Sequence, residues 1–235
     1  LSKHLTYCAA SASAWQQIAP AGGDRTRVLT FHNGGDAPDM VAESFGQERA
    51  LMGVAMILAN ITAPGVITRY GKPRALIFGD MDGQQSPVAD IRGVFADAGI
   101  RSADHDDVRV ALWEKFVLFN AGSAITAGTR LRVAEIRKDS AACALVRKLM
   151  EETYAVALAS GVPLPENTVE KQYNIFKNVM PPEARTSTAH DLEGGRPLEI
   201  DFLCGAIARR GRALGVDVSA SETAYALLSP WKNGR

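Results

Sequence analysis

The spacing of apolar residues changes partway along the chain, and the change predicts two kinds of structure. Short apolar segments come first, and they are separated by turn residues such as Pro64-Gly65 and Gly71-Lys72-Pro73. Short apolar runs bounded by Gly and Pro are typical of strands. Their alternation with helical stretches favours α/β layering. The predicted strands are 27–31, 50–58, 66–69 and 75–78, and the predicted helices are 1–18, 36–45 and 86–98, the last with Ile91, Val94 and Phe95 inward.

From residue 107 onward the pattern is helical only. The repeat of apolar residues every three to four positions is that of helices packed against a core. The predicted helices are 107–127, 139–160 with Leu145, Leu149 and Val156 in its core stripe, 166–179, a segment within 185–216, and 219–228. We therefore predict a boundary between residues 1–106 and residues 107–235.

The helix at 107–127 is apolar on almost every face, which indicates burial, yet it contains Lys115. A lysine there either extends to the surface or is held in a pocket, and the helix alone favours neither. A desolvated lysine can donate a hydrogen bond, or a proton if its pKa is lowered. Ser123 lies two turns further on nearly the same face, whereas Asn120 is rotated away.

The segment 185–216 carries the other polar candidates. Thr186 and Ser187 are placed to begin a helix. After Gly194-Gly195, a second helix is predicted with Ile200, Leu203, Ile207 and Leu214 on one stripe and Glu199 in its first turn. A carboxylate at that position usually only stabilises the helix start, but it becomes functional if tertiary structure covers it.

The composition of the chain limits the classes of protein to which it can belong. Hydrophobic residues make up 46% of the 235 residues, enough for a core, and equal numbers of basic and acidic residues, 26 each, give no basic excess for nucleic acid. We expect no membrane span, because no run of about 18 apolar residues occurs. The first 15 residues lack the order of a signal peptide. The three cysteines, Cys8, Cys143 and Cys204, are scattered. Cys143 and Cys204 lie in helical patterns and predict core thiols in a reducing, cytoplasmic compartment, and the four scattered histidines predict no metal site.

A lysine and a carboxylate that face one cleft can polarise a carbonyl and protonate the alkoxide. A serine at a helix N-terminus can hold a substrate carboxylate. Together these groups indicate reduction of a 2-oxo acid, with the hydride supplied by a cofactor.

These residues, in this order, resemble the ketopantoate reductase (2-dehydropantoate 2-reductase) family. The Asn33-Gly34 turn resembles the family's HNG turn, and Trp113-Glu114-Lys115 matches its W-x-K. Ser187 with Asp191, followed by the sequence RPLEID at 196–201, matches its S-x-x-x-D and G-R-x-T/L-E-I-D signature, which is the most specific element. The resemblance extends from about residue 3 to about residue 228.

The resemblance implies a partial Rossmann-type dinucleotide domain at 1–106. A helical substrate and dimerisation domain follows at 107–235, similar to the C-terminal domain of 6-phosphogluconate dehydrogenase. It implies a homodimer that uses NADPH to reduce 2-dehydropantoate, or a close analogue, to pantoate, as in pantothenate biosynthesis. By the resemblance, Lys115 and Glu199 are catalytic. The implied substrate-binding residues are Asn33, Ser123 and Ser187, and the implied cofactor contacts are Lys3, Asn33, Ala59 and Glu199.

Two departures from the family pattern affect these expectations. The G-x-G-x-x-G turn that holds the pyrophosphate does not occur in the sequence, so this chain is expected to bind NADPH weakly. The family often has asparagines four and eight residues after the lysine, where this chain has Phe119 and Ser123. The phenyl ring removes an amide and favours a 2-oxo acid with a more apolar tail.

Two alternatives follow. The chain could be a non-catalytic homologue or fragment that serves as a helical dimerisation module. It could also be another 2-oxo-acid or 3-hydroxy-acid dehydrogenase with the same two-domain plan.

Overall fold

The computed structural model of the chain describes residues 20, 23, 26–70 and 76–235. The described residues fall into two compact units. A sheet unit contains the described residues up to His32 together with Pro38–Leu112, and a helical unit contains Asn33–Ala37 together with Trp113–Arg235. The predicted helix at 1–18 lies outside the described residues. Each unit combines separate segments of the chain, so the boundary predicted between residues 106 and 107 stays a prediction.

The sheet unit contains five strands and two helices: β1 Val28–Thr30, α1 Ala37–Phe45, β2 Ala50–Ala55, β3 Leu58–Ala63, β4 Val66–Tyr70, β5 Leu76–Gly79 and α2 Ala89–Asp97. β1 pairs with β2 in parallel, with Val28 opposite Ala50, and β5 completes that sheet by antiparallel pairing with β2. The parallel pair with α1 between its strands is a βαβ arrangement, as the predicted α/β layering requires. β3 and β4 form a separate hairpin around Pro64-Gly65.

The core of the sheet unit contains a cluster of aromatic side chains. Phe78 is fully buried, and its ring centroid lies 6.3 Å from that of Phe31 and 5.2 Å from that of Phe95. Ile91 also packs against this cluster, which agrees with the inward face predicted for α2. Val94 was wrongly placed on that face, because it is 68% exposed.

The helical unit is built from seven helices: α3 Val108–Thr129, whose first turn belongs to the sheet unit, α4 Val133–Ile136, α5 Ser140–Ala159, α6 Thr168–Asn174, α7 Ser187–Glu193, α8 Cys204–Leu214 and α9 Ser219–Leu228. A π-helical turn, Ile175–Val179, continues α6. Residues 107–235 are all described and contain no strand, which confirms the predicted helical second part.

Local sequence signals explain where several of these helices begin and end. The carboxylate of Asp139 accepts a hydrogen bond from the Ala142 amide at 2.7 Å and caps α5, as predicted. Gly215 ends α8 in the left-handed conformation, with φ of 70°. Leu149 and Val156 lie in the core, whereas Leu145 and Leu214 are 41% and 45% exposed, so these two predicted core positions were wrong.

Candidate functional site

Lys115 lies in the third turn of α3, in the helical unit. Its ammonium donates a hydrogen bond of 3.0 Å to Oδ1 of Asn33 and lies 5.9 Å from the centroid of the Phe119 ring. Burial lowers the pKa of Lys115 below its usual 10.5, and the charge of Glu199 opposes that change. The side chain is therefore held inside the unit and does not extend freely to the solvent. Its lowered pKa makes the ammonium a stronger acid than an exposed lysine.

Glu199 is buried, with 9% of its surface exposed. The prediction placed it in the first turn of an α-helix, but it begins a short 3₁₀ segment, Glu199–Phe202. The chain then turns at Leu203, with φ and ψ both −109°, before α8 begins at Cys204. This break lets the carboxylate sit at the end of its own short segment. Since Glu199 raises the pKa of Lys115, the structure brings these two predicted residues into one electrostatic environment.

Asn33 lies in the connection between β1 and α1. Gly34 follows it with φ of 94°, and a Cβ at that position would lie only 2.3 Å from the carbonyl oxygen of Phe202. A side chain at position 34 would therefore collide with the segment that carries Glu199. At Gly35, a Cβ would lie 3.3 Å from the Trp113 ring. These close approaches place the Asn33 loop against both α3 and the Glu199 segment.

Ser123 follows Lys115 by eight residues on α3, a rise of about 12 Å along the helix axis. It is 2% exposed, and its hydroxyl has no hydrogen-bond partner in the part of the chain that the structure describes. Asn120 points elsewhere and donates a 2.9 Å hydrogen bond to Thr153 on α5, as its rotation on the helix predicts. Asn120 therefore does not replace the amide that is missing at Phe119.

Ser187 is exposed at the first position of α7. Its side chain makes no hydrogen bond to another described residue, so the structure does not join it to Lys115, Asn33 or Glu199. Its neighbour Thr186 is buried, and the Thr186 and Thr126 hydroxyls lie 2.8 Å apart. This contact fixes the start of α7 against the second half of α3.

Two predicted cofactor contacts, Lys3 and Ala59, remain to be located. Lys3 lies outside the described residues. Ala59 belongs to β3 in the sheet unit, where it pairs with Arg69. Within the described ranges, no group of three or more His, Cys, Asp or Glu side chains is arranged to hold a metal ion. Cys143 and Cys204 are buried free thiols, and burial raises the pKa of Cys204 to about 12.

Tertiary contacts place two carboxylates that the sequence pattern did not single out. The side chain of Glu152 on α5 is only 1% exposed and accepts hydrogen bonds from the start of α9. Asp36, just before α1, forms ion pairs with two arginines of α8. Local sequence could not reveal either role, because the partners are 68 or more positions away.

Comparison with known proteins shows the family to which the chain belongs. Residues 107–232 match the family described as ketopantoate reductase PanE/ApbA C terminal, and residues 8–83 match ketopantoate reductase PanE/ApbA. A 2-dehydropantoate 2-reductase from Mesorhizobium japonicum is 29% identical over 239 residues, which cover 92% of this chain and 71% of the relative.

Solved structures give the same picture. A PanE/ApbA family ketopantoate reductase from Ralstonia eutropha has a TM-score of 0.85 and 31% identity, over 96% of this chain and 73% of that one. A D-mandelate dehydrogenase solved with NADH and anilino(oxo)acetate has the same TM-score with 19% identity, over 96% and 74% of the two chains, which shows a shared fold. A ketopantoate reductase from Staphylococcus aureus described as dimeric matches with a TM-score of 0.79 and 23% identity, over 94% of this chain and 74% of that one.

The fold is a partial Rossmann-like α/β region followed by a helical domain, and a half-buried lysine lies beside polar groups in the latter. This combination defines an oxidoreductase class that works with a nicotinamide cofactor. The chain belongs to the ketopantoate reductase PanE/ApbA family.

Proposed function

We propose that the protein reduces the ketone of a 2-oxo acid, either 2-dehydropantoate or a close analogue, with NADPH as the hydride donor. The observation that carries this proposal is the half-buried Lys115, whose ammonium donates to Asn33 and lies in the field of Glu199. The division into a cofactor region at 1–106 and a substrate and dimerisation region at 107–235 belongs to the same proposal.

In this proposal Lys115 donates a hydrogen bond to the ketone oxygen and then its proton to the alkoxide that forms. Burial supports this role, because a lowered lysine pKa makes proton transfer to the alkoxide easier. Asn33 orients the ammonium through the 3.0 Å hydrogen bond. Glu199 keeps Lys115 charged until the proton is transferred and orders the substrate hydroxyl.

The donor set fits the reacting end of a nicotinamide cofactor and a small oxo acid. The Lys115 ammonium donates to the Asn33 amide oxygen and lies in the field of the Glu199 carboxylate, and the buried Ser123 hydroxyl offers a further polar contact along the same helix. The bound cofactor supplies the hydride. Asn33 and Glu199 would contact its nicotinamide end, while Lys3 and the Ala59 backbone would contact the rest.

The surroundings of Lys115 also bear on the substrate. The Phe119 ring lies beside the ammonium, and the neighbouring Asn120 amide is engaged with Thr153. The substrate group next to the reacting carbonyl would therefore meet an apolar wall on the Phe119 side. This arrangement favours a 2-oxo acid with an apolar or aromatic tail over the hydroxylated tail of 2-dehydropantoate.

The wider setting is part of the proposal. We propose a homodimer, as described for the Staphylococcus aureus relative. We also propose a cytoplasmic location, supported by the buried free thiols, and a role in pantothenate biosynthesis if 2-dehydropantoate is the substrate. The structure has no helix in its described ranges that could span a bilayer.

A second candidate is a homologue that keeps the fold without the chemistry and serves as a helical dimerisation module. Fluorescence titration of NADPH, followed by NADPH oxidation with a panel of 2-oxo acids, separates the two. Binding together with turnover of at least one acid supports the reductase. If the chain shows an intact melting transition but neither binds NADPH nor turns over any of the acids, the reductase proposal is contradicted. A panel that also includes 3-hydroxy acids with NADP tests the remaining dehydrogenase alternative.

A further inference from the structure

The loop that carries Asn33 is tied down by a carboxylate three residues further along the chain. Oδ2 of Asp36 accepts a hydrogen bond of 2.8 Å from Nη2 of Arg209, and Oδ1 accepts one of 2.8 Å from Nε of Arg210. The Asp36 side chain is only 15% exposed. A carboxylate that receives two charge-assisted hydrogen bonds in a partly desolvated place is held more firmly than one in a surface ion pair.

The same two arginines also interact with the segment that carries Glu199, with the loop that carries Asn33 and with α3, which carries Lys115. Nη1 of Arg209 donates to the carbonyl oxygen of Asp201 at 2.8 Å, within the short segment that begins at Glu199. Nη2 of Arg210 donates to the carbonyl oxygen of Gly35 at 3.4 Å. The Arg210 guanidinium also lies 5.9 Å from the centroid of the Trp113 ring, two residues before Lys115 on α3. The cluster of Asp36, Arg209 and Arg210 therefore connects the Asn33 loop, the Glu199 segment and α3.

We propose that Asp36 is a positioning residue, which acts through Asn33 to keep the amide oxygen on the Lys115 ammonium. No described contact joins Asp36 to Lys115, so the effect passes through the loop backbone. Gly34 and Gly35 leave little freedom in that loop, because their positions lie against Phe202 and Trp113. Loosening the Asp36 end would let the short loop move and lengthen the 3.0 Å hydrogen bond to Lys115. This inference rests on the proposed function only where it concerns turnover.

The test reads the environment of Lys115 directly. The pKa of Lys115 is followed by the ¹³Cε chemical shift in chain labelled with ¹³C-lysine, with the signal assigned by Lys115→Arg. Asp36→Asn keeps the shape of the side chain and removes its charge. We expect the pKa of Lys115 to fall by about one unit, since a charged donor that loses its acceptor is less stable in its charged form.

Charge alone must be separated from positioning. Glu199 faces Lys115, and Asp36→Asn also leaves two arginines without their carboxylate, which lowers a nearby lysine pKa by itself. The double variant Asn33→Ala with Asp36→Asn removes this ambiguity by a double-mutant cycle. If Asp36 acts through Asn33, Asp36→Asn lowers the pKa of Lys115 clearly less in the Asn33→Ala background than in the unaltered chain, because only the charge effect of the arginines remains. If the change persists at full size in that background, the positioning role is wrong.

The controls keep the test falsifiable. Glu170→Gln breaks the Arg147–Glu170 ion pair, of the same chemical type but between α5 and α6, and should leave the pKa of Lys115 unchanged. If Asp36→Asn does not fold, Arg209→Gln removes one of the two partners and carries the same cycle. An unchanged Lys115 pKa in a folded Asp36→Asn or Arg209→Gln variant would overturn the proposal.

Turnover of a 2-oxo acid by Asp36→Asn should fall about tenfold with little change in KM. If Lys115→Ala keeps full turnover, the proposed function fails, while the pKa result still decides the positioning role.

Discussion

At the scale of single residues, the lysine on α3 is the clearest case of a sequence signal with two possible meanings. A charged residue on a helix that is apolar all round either reaches solvent or is held in a pocket, and the sequence alone favours neither. The hydrogen bond to Asn33 and the lowered pKa of Lys115 favour the pocket. The partners could not be predicted from periodicity, because Asn33 is 82 positions away.

The lowered pKa predicts the pH dependence of turnover. Reduction needs the Lys115 ammonium, so turnover should fall as the pH rises through a value below 10.5. Glu199 raises the pKa of Lys115, and Glu199→Gln should therefore move this basic limb to lower pH. The check is the pH dependence of the residual kcat in both proteins. A limb that stays in place or moves to higher pH in Glu199→Gln would contradict the electrostatic coupling.

Phe119 predicts substrate preference at the same scale. Phe119→Asn replaces the apolar wall beside Lys115 by an amide and should shift kcat/KM toward a hydroxylated 2-oxo acid, relative to a phenyl-bearing one, by about tenfold or more. The control Phe119→Leu keeps the wall apolar and should leave the preference nearly unchanged. Equal shifts in both variants would show that ring volume, and not polarity, sets the preference.

At the scale of elements, the helices with strong periodicity and clear ends were predicted closely. Residues 139–160 and 219–228 were predicted as helices, and the structure has Ser140–Ala159 and Ser219–Leu228. Their ends carry local chemistry such as the Asp139 cap, so the sequence determines them. The 3₁₀ segment at Glu199 was not predicted, because the break at Leu203 has no glycine or proline to mark it.

The buried Glu152 carboxylate leads to a prediction about what attaches α9 to α5. Its carboxylate accepts hydrogen bonds from the Ala220 and Ser221 amides at 2.9 and 2.8 Å and from the Ser221 hydroxyl at 2.7 Å, which fixes the start of α9 on α5. Glu152→Ala leaves these buried donors without an acceptor and should lower the free energy of unfolding by about 2–4 kcal/mol.

Urea denaturation measures this loss. The matched control is Glu151→Ala, one residue earlier on the same helix, where the side chain is exposed and the stability should change by less than about 0.5 kcal/mol. Equal stability in the two variants would show that Glu152 does not anchor α9.

At the scale of the whole molecule, the change from strands to helices along the chain was sufficient to predict an α/β region followed by a helical one, and the resemblance to the family added that the first region is Rossmann-type. The family match over residues 8–83 and 107–232 agrees with that order. Long-range contacts were not predictable. The grouping of Asn33–Ala37 with the helical unit depends on Gly34, Gly35 and Asp36 packing against α3, α8 and the Glu199 segment.

The most direct test of the central claim compares turnover of a 2-oxo acid with NADPH in Lys115→Ala and in Lys138→Ala, an exposed lysine changed in the same way. If Lys115 donates the proton, Lys115→Ala should lower kcat by about 10²–10⁴-fold with an unchanged melting temperature. Lys138→Ala should retain full activity. Equal turnover in the two folded variants would contradict the claim that the Lys115 ammonium donates the proton in the reaction.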